Sequence, residues 1–68
     1  MLSLWIVVYI TQNRETAVTV KNLLQDGGLH VKMRSIGLRE NAQYGCYEVL
    51  LPESEIDAGH NIIINNIV

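Results

Sequence analysis

The side chains able to do chemistry in this 68-residue chain are few and scattered: Cys46, His30, His60 and the charged trio Lys32, Arg34 and Glu48. Cys46 is the single cysteine, so no internal disulfide can form, and a lone thiol suits a reducing cytosol. As a nucleophile it would need a cationic or helix-end neighbour to lower its pKa, and a buried, inert thiol is the expectation. A structural zinc site takes four ligands, usually with a short-spaced pair, which His30, His60 and Cys46 do not supply; no metal is expected. His60, as a histidine, could serve as a ligand or an acid/base group. Its place in an apolar helical stripe predicts a packed histidine instead. The phosphate-binding loops G-x-x-x-x-G-K-[ST] and G-x-G-x-x-G are absent, and Gly27-Gly28 ends a helix where a phosphate cradle would begin one. No cofactor and no catalytic residue is assigned.

Lys32, Arg34 and Glu48 fall on one face of two neighbouring strands. An ion pair across the strands would contribute about 0.2–1 kcal/mol as a structural feature; the functional alternative is an anion-binding corner of Lys32, Arg34 and Glu48 centred on Arg34. Five Lys/Arg against seven Asp/Glu, a formal charge of −2 and the lack of a basic run argue against nucleic-acid or anionic-membrane partners. The apolar run from Leu2 to Ile10 lacks a positive leader and a cleavage site and is shorter than the ~20 residues of a spanning helix, so it predicts a buried strand.

These side chains need elements to position them. Leu4 to Ile10 is β-branched and aromatic, the composition of a strand; strict alternation puts Leu4, Ile6, Val8 and Ile10 on one face and Trp5, Val7 and Tyr9 on the other. Asn13 is a good N-cap for a helix to about Asp26, with Ala17, Val20, Leu23 and Leu24 as its apolar stripe. Thr16, Val18, Thr19 and Val20 are indifferent helix formers and keep a strand alternative open. Gly27-Gly28 ends the helix and Leu29 folds back onto its last turn. Leu29 to Ile36 alternates as a second strand, Gly37 to Gly45 is a polar connection, and Cys46 to Leu51 is a third strand ended by Pro52. Ser54 to Asp57 has capping-box spacing and opens a second helix with Ile56, His60, Ile63 and Ile67 on one face. Gly59 and Ile62 to Asn66 are poor helix formers, so its end could fray or turn to strand.

The predicted fold is a single α+β domain over residues 1–68, ferredoxin-like in its β-α-β-β-α order, with a three-stranded sheet in the order 1-3-2 and both helices on one face. The other face would carry Trp5, Val7, Tyr9, Cys46 and Leu50 with His30, Lys32, Arg34 and Glu48. Domains of about 60 residues bury only about 60% of the surface their unfolded chains expose. With disulfide and metal excluded, self-association is the expected support. Trp5, Val7, Tyr9, Arg34, Glu48 and Leu50 are therefore the candidate homodimer interface; the alternatives are a small-molecule pocket wall and a wet surface.

The strand Trp5-Ile6-Val7-Val8-Tyr9-Ile10, the helix start Asn13-Arg14, the segment Gly28-Leu29-His30-Val31-Lys32-Met33-Arg34 and the stretch Tyr47-Glu48-Val49-Leu50-Leu51-Pro52-Glu53-Ser54-Glu55 resemble a family of short bacterial signal-transducing proteins of unknown function. The resemblance covers nearly the whole chain. It implies a ferredoxin-like fold related to the PII regulators and carries over no catalytic residue. Some similar short proteins are labelled glutamate decarboxylase, a reaction needing pyridoxal phosphate on a lysine Schiff base with a phosphate cradle. Lys21 and Lys32 are the only lysines; neither lies in a cofactor motif, and the chain is too short to enclose cofactor and substrate. The functional expectation is a cytoplasmic, non-enzymatic regulatory or interaction module. It would be a homodimer taking a small molecule or protein partner through the Gly37 to Gly45 connection and the adjoining sheet edge. The enzyme alternative requires His60, Glu48 and Arg34 to face one pocket, and a third reading is a structural subunit of a larger complex.

Overall fold

A computed structural model describes residues 4–37 and 45–67; most of the Gly37 to Gly45 connection, positions 38–44, lies outside them. The elements follow as β1 (Trp5–Thr11), α1 (Arg14–Asp26), β2 (Lys32–Ile36), β3 (Cys46–Pro52), a 3-10 turn (Glu53–Glu55) and α2 (Ile56–Ile67). The sheet order is β1-β3-β2, with β3 antiparallel to both neighbours, as the sequence predicts. Both helices pack on one side, α1 reaching all three strands and α2 lying on β1 and β3.

Helix α1 forms despite its threonines and valines because its ends are satisfied and its stripe is buried. Asn13 is extended and accepts the Thr16 N–H on its side-chain oxygen at 3.1 Å, with Glu15 in the first turn; both suit the unsatisfied amides and positive end of a helix. Ala17, Val20 and Leu24 are fully buried with Val49 and Leu51 of β3. At the other end Leu29 N–H donates to Leu24 C=O (3.2 Å) and Gly28 N–H to Gln25 C=O (2.9 Å). This is a Schellman closure, with Gly28 supplying the left-handed residue at φ 87°. Leu29 packs back onto the core.

One residue breaks the alternation of β1. Ile6 pairs with Leu51 and Val7 with Leu50, but Tyr9 rather than Val8 pairs with Val49. Val8 is the extra residue of a β-bulge, which turns the following side chains over. Val8 and Tyr9 both pack against the helix-side core, and Ile10, opposite Glu48, is 59% exposed. Tyr9, predicted beside Trp5 and Val7 on the bare side, is thereby corrected to the core side, and Ile10 moves the other way.

The second helix also departs from its predicted face. Ser54 lies inside the 3-10 turn instead of at a helix N-cap, and Pro52, which precedes the turn, makes no side-chain cap bond. The helix continues through Ile67 without becoming a strand. Gly59 is buried, Ile62 and Ile63 pack on the core, and His60 and Ile64 are exposed. A Cβ built on Gly59 would fall on Leu51 Cδ1. The glycine thus lets α2 lie directly on β3, and this close approach rotates the buried stripe away from His60.

Candidate functional site: the bare face of the sheet

The chain is a plate with principal extents of 34 × 32 × 15 Å, thin enough for one sheet and one helical layer, so one broad face of the sheet is left without helices. Cross-strand pairs share a face, and the register therefore defines this one in rows. Trp5 stands opposite Pro52; Val7, Leu50 and Lys32 form the next row; Ile10, Glu48 and Arg34 the third; Cys46 and Ile36 the last. Five of the six predicted interface residues, Trp5, Val7, Arg34, Glu48 and Leu50, are here, and Tyr9 is not. Pro52, Ile10 and Ile36 were missed. Ile36, 41% exposed, follows from simple alternation with Lys32 and Arg34, whereas Ile10 could be found only through the bulge.

The charged trio is assembled as the spacing suggests. Arg34 donates from Nε and Nη2 to the same Glu48 oxygen, Oε1, at 2.8 and 2.6 Å. The Arg34 side chain remains 58% exposed and that of Glu48 only 15%. Lys32 takes no part in that pair; its ammonium sits over the Trp5 indole, 4.2 Å from the ring centroid, a distance at which the ring's negative face attracts a cation. Beneath them Leu50 is nearly buried at 5% exposure. Trp5, Lys32, Met33, Arg34 and Leu50 line an open depression of about 440 Å³. The face thus joins an apolar floor to two cations against one carboxylate, while the chain as a whole carries −2.

Neither histidine is bonded to the Arg34–Glu48 pair. His30 precedes β2, and Glu55 captures it: the His30 backbone N–H donates to Glu55 Oε1 and the ring Nδ1 lies 2.8 Å from Oε2. The bond from the ring, then that from the backbone, holds the Glu55 carboxyl below its ordinary range. This bridge ties the start of β2 to the turn before α2, where the sequence suggests a capping box. His60 is exposed on α2, across the sheet from the Arg34–Glu48 pair. The three groups of the enzyme reading are therefore divided between two surfaces. Cys46 is half-buried in the last row of the bare face. Among the described residues no three His, Cys, Asp or Glu side chains are grouped to hold a metal, and no helix is long and apolar enough to cross a membrane.

Fold and site together define a small α+β domain whose described residues form three strands and two helices, with both helices on one side of the sheet. No family model, curated protein or solved structure matches the chain.

Proposed function

We propose that the chain is a non-enzymatic regulatory or interaction module of the cytoplasm, a homodimer that meets its partner through the bare face of its sheet. The observation that carries this is the composition of that face: Trp5 and Val7 half-buried, Ile10 and Ile36 exposed at 59% and 41%, and two cations beside them. Covering such apolar surface stabilises a complex by about 25 cal/mol per Å², and Trp and Arg are enriched where proteins meet. The partner that fits is apolar at its centre and offers a carboxylate to Lys32 and Arg34. The resemblance to short bacterial signal-transducing proteins supports a regulatory role.

Trp5 is the only tryptophan, so its emission reports directly on this face. A thermal-shift screen of amino acids, organic acids, nucleotides and acidic apolar peptides, repeated on Lys32→Glu and Ile36→Glu, tests the reading, since a ligand of the folded state raises its stability. The expected hit is an apolar anion that raises Tm, shifts Trp5 emission and is lost in both variants. A hit that leaves Trp5 unmoved and binds both variants normally would place the working surface elsewhere. Leu50→Glu is a poor probe, because Leu50 is already buried within the single chain and its loss would damage the fold.

A further inference from the structure

Among the described residues the order β1-β3-β2 leaves two sheet edges, and they differ in how they are guarded. The five-residue β2 carries Lys32 and Arg34, charges of the kind that discourage another strand from adding. The seven-residue β1, Trp5-Ile6-Val7-Val8-Tyr9-Ile10-Thr11, has no charge and no proline. An edge, unlike a face, dictates the form of its occupant, because only extended backbone satisfies a row of ladder donors and acceptors.

The direction of those groups can be read from the structure. Leu4 C=O accepts the Glu53 N–H at 2.9 Å, so the Leu4 carbonyl points towards the chain that continues β3. Backbone groups alternate in direction along an antiparallel strand. Ile6 therefore faces β3, and the N–H and C=O of Trp5 and Val7 face outward. The bulge at Val8 ends this straight arm, which leaves Leu4 to Val7 as the part open to pairing.

We infer that the β1 edge pairs antiparallel with the β1 edge of a second copy, about a two-fold axis at Ile6. This rests on the homodimer proposed above and specifies its seam. About that axis Trp5 of each chain meets Val7 of the other, and both residues present outward N–H and C=O groups, so the two pairs exchange four backbone hydrogen bonds. Ile6 meets Ile6 at the axis on the helix side. The arm is uncharged and no like charges oppose one another; Trp against Val is an aromatic with β-branched pair of the favourable kind. The product is a continuous six-stranded sheet with all four helices on one side.

Residue-resolved amide hydrogen exchange, with the mass followed by light scattering over a dilution series, tests the seam. The Trp5 and Val7 amides should be protected in the dimer and lose protection on dilution to monomer. Val7→Pro removes one outward donor per chain, two of the four bonds, and should weaken dimerisation about ten- to hundred-fold, whereas Ile36→Glu at the far edge should leave it unchanged. Should Val7→Pro fail to fold, the wild-type exchange pattern decides alone. A dimer whose Trp5 and Val7 amides exchange as freely as in the monomer, or one that Ile36→Glu disrupts, would overturn the edge seam while keeping the homodimer. A monomer at every concentration would remove both.

Discussion

Gly59→Ala sets two effects of known sign against each other. In a mid-helix position alanine is favoured over glycine by roughly 0.8–1.0 kcal/mol, so helix propensity alone predicts stabilisation. The structure predicts the reverse, because a Cβ at position 59 would fall on Leu51 Cδ1 and lie 3.6 Å from Leu24 Cδ2. Leu51 and Leu24 are both fully buried with Ala17, Val20 and Val49 around them, so the struck methyl has no solvent-facing rotamer to take. Overpacking of this kind costs about 1–3 kcal/mol. The net expectation is a loss of roughly 1 kcal/mol and at most about 2. In a domain of this size each kcal/mol moves Tm by about 4–8 °C. Thermal unfolding followed by circular dichroism should show a fall of about 4–15 °C, smaller in a Leu51→Val background where the colliding methyl is gone. A rise in Tm for Gly59→Ala would mean that α2 does not rest on β3 through this glycine.

The Glu55–His30 bridge makes stability depend on acid. A carboxyl whose folded pKa is lowered contributes stability that is complete above its ordinary value of 4.5 and is lost as pH falls through the lowered folded value. Urea unfolding in a pH series should show this loss in the wild type and not in Glu55→Gln. Asn13→Ala should cost about 1 kcal/mol, and Asn13→Asp little, because only the former deprives the Thr16 N–H of its acceptor; denaturant midpoints measure the difference. A double-mutant cycle of Arg34→Ala and Glu48→Ala should give a coupling of about 0.2–1 kcal/mol, and a value near zero would remove the pair from any account of the sheet's stability.

Much of this architecture was legible because its signals are local. Asn13 followed by an acidic first turn, Gly27-Gly28 followed by Leu29, and three runs of strand composition each act within a few residues, and the order 1-3-2 follows from joining them by standard connections. Tyr9 and Ile10 were misplaced because nothing in Val7-Val8-Tyr9 marks a bulge: the residues are as suited to a regular strand, and the extra position is fixed only by pairing with β3. His60 was misread for a related reason. Periodicity counted Gly59 as a weak helix former, whereas packing uses its missing side chain as a contact surface and turns the helix accordingly. The Glu55–His30 bridge spans 25 positions, beyond the reach of any capping pattern. On the site itself, Lys32, Arg34 and Glu48 were placed by alternation alone, while the stacking of Lys32 on Trp5 depends on two strands that meet only through β3.

The extra residue at Val8 acts as a shift of reading frame in space. Upstream of it, even-numbered side chains belong to the interior; downstream, odd-numbered ones do. Removing Val8 would rejoin the two frames without moving either, because Val7 already stands opposite Leu50 and Tyr9 opposite Val49, so Tyr9 would stay under the helices and Ile10 outside. A single lost codon at this point would thus leave both sides of the sheet with their present residues, whereas drawing Val8 into regular pairing with Val49 would set Tyr9 opposite Glu48 on the outer surface and turn Ile10 inward.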